Sequence, residues 1–253
     1  MSVSVLMYHH VLPGEGFLAI SERQFRAQMA WLAEKGYRTL TAAQFLAFKR
    51  GEWRPPRRSV VLTFDDGWRD NHVFAAPILR EYGLRAVLFV VTGWTEAASA
   101  APAAFEPLDH RGCKSRLAEA PGAVVCSWDE LAEMRDVFDI HSHTHTHREH
   151  HFGALSWEED LARSRALIEQ RLGETAPQLC WPRGRYDERS KAAALAAGYR
   201  ALYTTRRGIN RPDGDTAEIR RLAVKHSTHW LAKSLFLFSN DPLGRLYARL
   251  KPE

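Results

Sequence analysis

The stretch Ser59-Val60-Val61-Leu62-Thr63-Phe64-Asp65-Asp66-Gly67-Trp68 constrains this chain more than any other. An apolar, β-branched run rises to two adjacent carboxylates and a glycine, the pattern of a buried strand that delivers acids to a site at its end. Successive side chains of a strand point to opposite faces, so Asp65 and Asp66 take different roles unless the backbone turns between them. One metal ligand and one acid or base is the expected division.

Capped helical patterns and short apolar runs alternate around this stretch. Val3 to Tyr8 reads as a first strand ending in Tyr8-His9-His10, and Tyr37 to Leu40 as a second. Ser21 with Gln24, Thr41 with Gln44, Ser127 with Glu130 and Ser156 with Glu159 have the spacing of capping boxes. A helix is expected from about Asn71 to Tyr82, a strand over Ala86 to Val91, and a short strand at Leu179-Cys180-Trp181. A helix from Glu188 to Ala197 and a strand from Tyr199 to Thr204 follow. The alternation predicts βα units around a parallel sheet in one domain of 253 residues. Tyr8-His9, Asp65-Asp66, the histidine run and Trp181-Pro182 then meet on one rim, as at the C-terminal face of a (β/α) barrel.

Residues 93–126 are rich in alanine, proline and glycine with little periodicity, and read as an insertion at the mouth of the site. From Trp230, the residues Leu231, Leu235, Phe236 and Phe238, then Leu243, Leu246, Tyr247 and Leu250 with Arg245, Arg249 and Lys251, form an amphipathic stretch to residue 253. Two readings stay open for it, a helix closing the barrel or a peripheral membrane contact. No 18-residue apolar run suggests a transmembrane helix, and the first residues lack the basic start of a secretory signal. Cys113, Cys126 and Cys180 are odd in number, without metal-ligand spacing. Inert thiols in the cytoplasm, at most at the inner face of the membrane, are the expectation. A net charge of +5 permits an anionic substrate but is too mild to point to nucleic acid.

Six histidines fall within residues 141–151: His141, His143, His145, His147, His150 and His151. In an extended strand His143 and His147 would stand roughly 13 Å apart, too far to share an ion. On a turn they meet, and with a carboxylate they make a two-His, one-Asp site that leaves a position open for water. His141 with His145 is an equally spaced alternative. Ordinary core or surface histidines, and a histidine-rich storage tract, are the plainer readings.

Thr63-Phe64-Asp65-Asp66-Gly67 together with His143-Thr144-His145-Thr146-His147 resembles the first two motifs of the polysaccharide deacetylases, the NodB-homology or carbohydrate esterase family 4 group. The resemblance runs from about Val3 to Thr204. It implies an α/β fold, a single-domain distorted (β/α) barrel of the NodB-homology type, a divalent metal, most often Zn2+, and hydrolysis of an N-acetyl group on an amino sugar. In that resemblance Asp65 is the catalytic base, and Asp66, His143 and His147 are the metal ligands. The opening Leu6-Met7-Tyr8-His9-His10-Val11 is similar to the start of the circularly permuted branch that handles exopolysaccharide poly-N-acetylglucosamine. There the late histidine of the family comes first, which makes His9 the expected general acid, with His10, His226 or His229 as substitutes.

Two departures stand out. Where the family has Arg-x-Pro-aromatic, this chain has Cys180-Trp181-Pro182-Arg183, so Arg183 or Arg185 is expected to supply the missing charge. The aromatic wall is displaced as well; Trp68, Trp181, Pro182, Arg183 and Tyr186 are the expected substrate-binding residues, with Trp181, Tyr186 or Trp68 as stacking face. The implied reaction is attack of water on the acetamide carbonyl, with Asp65 taking the proton and His9 protonating the leaving amine. The expected partner is an N-acetylated amino-sugar glycan or glycolipid. The rivals are a two-His, one-carboxylate iron oxygenase, expected on an all-β fold, a deacylase of a different amide, and a glycan-binding relative that has lost turnover.

Overall fold

The computed structural model describes residues 2–147, 155–173 and 175–239. His150, His151 and the C-terminal residues Leu243, Arg245, Leu246, Tyr247, Arg249, Leu250 and Lys251 lie outside the described residues.

The elements follow in the order β1 (Ser4–Tyr8), β2 (His10–Leu12), β3 (Ala19–Ser21), α1 (Glu22–Glu34), β4 (Arg38–Thr39), α2 (Ala42–Lys49) and β5 (Ser59–Phe64). After β5 come α3 (Ala76–Glu81), β6 (Ala86–Val90), α4 (Thr92–Ala100), α5 (His110–Arg116), α6 (Trp128–Glu133) and β7 (Phe138–Ser142). The remainder is α7 (Trp157–Leu172), β8 (Gln178–Cys180), α8 (Glu188–Ala196), β9 (Ala201–Tyr203), β10 (Leu222–Ala223) and α9 (Thr228–Ser239). Eight strands form one sheet in the order β10-β1-β5-β6-β7-β8-β9, with β4 beside β5. Every pairing in it is parallel. Between β9 and β10 the chain crosses irregularly: Ile219 bridges Tyr203, and Asn210 bridges Val3. The result is the expected distorted (β/α) barrel.

Strand parity assigns the two sides of the sheet. Val61 belongs to an inner cluster with Val5, Val87, Phe89 and Tyr203, plugged from below by Phe45 and Phe48 of α2. Val60, Leu62 and Phe64 face the other way, against Phe25 and Met29 of α1 and Ile78 and Leu79 of α3. Asp65 follows Val61 and Thr63 in phase, which puts its carboxylate on the inner side at the end of β5.

The capping boxes at Thr41, Ser127 and Ser156 have both reciprocal hydrogen bonds. At Ser21 only half forms, because the Gln24 amide turns to Glu15. The expected helix from Asn71 begins as a π-helical turn, Asn71–Ala75, before α3. Residues 93–126 hold more regular structure than their composition suggests. Helices α4 and α5, with Leu117 just after α5, pack Trp94, Ala98, Cys113 and Leu117 against Trp68, and alanine-rich text hides that short apolar face. Helix α9 buries Leu231, Leu235 and Phe238 in the outer core, so residues 228–239 close the barrel, while Phe236 is exposed. Among the described residues no helix is long and apolar enough to cross a membrane.

Candidate active site

The backbone turns where the adjacent carboxylates require it. Asp66 has φ +79° and Gly67 +80°, so the chain leaves strand geometry and both acids reach the same rim. A left-handed aspartate is uncommon and costs about 1–3 kcal/mol, and such strain is typical of functional positions. Gly67 is pressed on Val90, where a Cβ would lie 3.1 Å from Cγ1. Trp68 Nε1 donates to Asp66 Oδ2 at 2.9 Å, leaving Oδ1 toward the histidines.

A second pair of left-handed residues solves the spacing of the histidine run. Thr144 (φ +70°) and His147 (φ +53°) fold the chain beyond β7, so the His143 and His147 rings stand 5.0 Å apart. The buried carboxylate of Asp160, on α7, holds this loop by accepting from the backbone N–H groups of His145 (2.5 Å) and Thr146 (3.3 Å) and from the Thr146 hydroxyl. From the opposite side the Thr92 and Gly93 N–H groups at the start of α4 donate to the carbonyls of Thr144 and His145. His143 Nδ1 donates to the Cys180 carbonyl at 2.8 Å, which fixes its tautomer and frees Nε2. His143 Nε2 and His147 Nε2 each lie 3.4 Å from Asp66 Oδ1. One donor atom from each of Asp66, His143 and His147 falls within 4.8 Å of the others, a set that fits one divalent cation. His141 and His145 do not form the alternative pair: His141 lies within β7, and His145 Nδ1 is bound to the Thr92 hydroxyl.

Asp65 is held by Arg221, whose two terminal nitrogens contact Oδ1 at 2.7 Å and Oδ2 at 2.8 Å. Arg221 Nε donates to the Thr204 carbonyl, and its NH2 group lies 3.0 Å from Cys180 Sγ. This corrects the expected charge at Arg183 or Arg185. Cys180, at the end of β8, faces Asp65 at 3.7 Å, and the cation arrives instead from the residue before β10. Arg183 lines the cavity over the site, and Arg185 is exposed. A charged residue opening a short apolar run reads as surface in sequence. Only the depth of Asp65 makes a buried cation there intelligible.

His9 Nε2 stands 3.8 Å from Asp65 Oδ2. The other histidines are elsewhere. His10 is completely buried on Asp70, His226 lies in a neighbouring cavity with Nδ1 3.8 Å from Glu15, and His229 is exposed on α9. Trp68 and Trp181 are corrected as stacking faces, since neither has any exposed surface. Trp68 lies between His10 and Trp94, and Trp181 is covered by Tyr186 at 5.5 Å. Pro182 is buried beneath the same turn, and the Tyr186 hydroxyl is bound to Glu218; neither lines the cavity. The cavity itself, about 320 Å³, is walled by His9, Phe17, Leu18, His110, Lys114 and Arg183 above the two aspartates and two histidines.

Burial alone would raise both aspartates, yet neighbouring charge wins at each. The Arg221 guanidinium holds Asp65 below the usual carboxylate range, and His147, His9 and His143 together hold Asp66 well below it. Burial lowers His143 to about 4, against the pull of Asp65, and lowers His9 against Asp65 and Asp66. The Cys180 thiol is pushed well above its ordinary value by burial, so it stays protonated beside Arg221. Ligands that are ionised (Asp66) and neutral (His143) are what a cation needs.

A parallel α/β barrel with a two-His, one-Asp cluster that could hold a cation and a second, arginine-bound aspartate at the end of one strand defines a class of candidate hydrolases. The sequence model of the polysaccharide deacetylases matches residues 53–202, and the chain belongs to that family. It is 28% identical over 222 residues to the Bacillus subtilis (strain 168) protein YxkH, assigned to the polysaccharide deacetylases, covering 87% of this chain and 70% of that protein. To the poly-beta-1,6-N-acetyl-D-glucosamine N-deacetylase of Staphylococcus aureus (strain MRSA252) it is 28% identical over 161 residues, 64% of this chain and 48% of that one. The corresponding Escherichia coli (strain K12) protein is matched over 80 residues, only 12% of its length. Among solved structures, the Streptococcus pyogenes deacetylase PplD superimposes with a TM-score of 0.77 at 22% identity, over 92% of this chain and 98% of that one. IcaB from Ammonifex degensii gives 0.73 at 23% identity, over 93% and 96%. These two likenesses bear on the fold.

Proposed function

We propose that the chain is a metal-dependent hydrolase that removes the N-acetyl group from an amino sugar of the N-acetylglucosamine type in a glycan or glycolipid. The observation that carries this reading is the pairing of Asp65 and His9 across 3.8 Å, beside a separate ligand cluster in the same cavity. Family membership supports the acyl chemistry, and the named N-acetylglucosamine deacetylases among the relatives support the sugar.

Asp66, His143 and His147 would hold the cation, Zn2+ being the expected ion, which when bound supplies a Lewis acid for the acetamide carbonyl and its attacking water. Asp65 takes the proton from that water. Arg221 keeps the carboxylate ionised and fixes its plane through two parallel hydrogen bonds. His9, in its protonated form, gives a proton to the nitrogen as the C–N bond breaks, leaving acetate and a free amine. Such proton transfers are each worth about two to four orders of magnitude in rate.

The test is acetate release by metal-loaded protein from N-acetylglucosamine oligomers, lipid-linked sugars and nucleotide sugars. Release from at least one class, with the free amine appearing in equal amount, supports the reading. Silence across all of them with the metal bound contradicts it.

A further inference from the structure

A chain of three polar side chains, two of them buried and His110 partly so, runs behind the cavity wall and is not used by the reaction above. Asp70 Oδ1 accepts from the Val11 N–H and the Asn71 amide, and its Oδ2 lies 2.7 Å from His10 Nδ1. His10 Nε2 in turn lies 3.1 Å from His110 Nδ1. His10 has no exposed surface and stacks on Trp68 at 4.9 Å, while the His110 ring stands edge-on to Trp68 and to Phe17. His110 belongs to α5, far in sequence from the two aspartates and two histidines, yet it lines the same cavity as Asp65, Asp66, His143 and His147. Among the described residues its Nε2 has no hydrogen-bond partner.

The proton count along this chain is constrained. An ionised carboxylate only accepts, so the His10 nitrogen facing Asp70 carries a hydrogen. Two ring nitrogens 3.1 Å apart share one proton, since two N–H groups would clash and two lone pairs would repel. If His10 is neutral, that proton sits on His110 Nδ1, which leaves Nε2 as a bare acceptor. Burial supports the neutral ring, lowering His110 to about 4. An acceptor fixed in place beside a cavity of about 320 Å³ selects a donor, and a glycan offers hydroxyls.

We infer that His110 is a specificity-determining residue: its Nε2, held as an acceptor by the Asp70–His10 pair, takes a hydrogen bond from a hydroxyl of the amino sugar whose acetamide faces Asp65. This rests on the deacetylase reading for the identity of the sugar, and adds that the substrate class must keep that hydroxyl free. A sugar blocked or deoxygenated there is rejected because the acceptor is left unpaired.

Two measurements test it. In metal-loaded protein with 15N-labelled histidine, two-bond proton–nitrogen correlations should place His110 in the Nδ1–H tautomer; an Nε2–H tautomer in the free protein overturns the proposal. Calorimetric binding of methyl N-acetylglucosaminide and its 3-, 4- and 6-deoxy analogues is then compared in the Asp65→Asn background, with His110 intact or changed to Phe or Gln. One analogue should bind at least about tenfold more weakly than the parent when His110 is present. That ratio should fall below about twofold in His110→Phe and be partly restored in His110→Gln, whose amide oxygen can accept. Equal binding of all analogues, or a ratio that survives His110→Phe, overturns it. These readouts do not involve turnover, so a wild-type protein that binds the sugar but releases no acetate would count against the deacetylase reading alone.

Discussion

Arg221 grips both carboxylate oxygens of Asp65, at 2.7 and 2.8 Å, across 156 residues of sequence. The pair lies inside the barrel, with both side chains buried. A cation so placed sets the acidity of the acid it holds. In Arg221→Met burial is no longer opposed by the guanidinium, so the Asp65 carboxyl titrates at higher pH. The acid limb of the kcat/KM profile should move up by at least about one pH unit, with Arg221→Lys in between because it keeps the charge and loses the fork. An unmoved limb would show that Arg221 does not set the state of Asp65. The same Met variant should lose about 3–5 kcal/mol of stability above that limb, where Asp65 is charged and unpaired.

The Asp160 carboxylate fixes the histidine loop without touching a ligand ring. Asp160→Ala removes the acceptor for two backbone N–H groups at the turn between His143 and His147. Metal affinity should weaken by about 10–100-fold, as for loss of other outer supports of a metal site. Calorimetric titration with Zn2+ checks this, and an unchanged Kd would mean the loop is held by α4 alone.

His143 titrates near 4 in the fold and near 6.5 when exposed. Between those pH values the unfolded chain binds a proton that the folded chain does not, so stability of the metal-free protein falls as pH is lowered from 6.5 toward 4. The loss for this one group reaches about 3 kcal/mol. Denaturant midpoints of metal-free protein at pH 7, 6 and 5 should decline accordingly, with a shallower decline in His143→Gln. A midpoint independent of pH over this range would contradict the buried, neutral assignment.

All three cysteines are buried, and burial raises Cys113 to about 12 and Cys126 and Cys180 well above their ordinary value. Native protein should therefore react slowly with a thiol reagent and yield all three thiols only on unfolding. A single thiol reacting at the rate of free cysteine would place it outside the core described for it.

The scaffold was legible because parity and capping are local. Val61, Thr63 and Asp65 share a face by alternation alone, and Ser127 and Ser156 announce their helices by spacing. The ligand cluster was legible from residue types, but its geometry was not. Nothing in the letters Asp66, Thr144 and His147 declares a left-handed backbone, and without it the same histidines stand too far apart. Arg221 was missed because its role exists only through a contact across the barrel. Trp68 and Trp181 misled for a related reason: an aromatic beside a motif looks like a sugar platform, and only packing reveals that His10 and Tyr186 already cover those rings. Helix α5 was hidden by composition, and with it His110.

On the proposed function one cavity holds two separable functions, a ligand cluster of Asp66, His143 and His147 and a base at Asp65. The most direct test is to measure bound metal and acetate release together in Asp65→Asn and in His147→Ala. Asp65→Asn should keep one equivalent of metal while turnover falls by about two to four orders of magnitude, and His147→Ala should lose both. Full turnover in Asp65→Asn, or undiminished metal in His147→Ala, would contradict it.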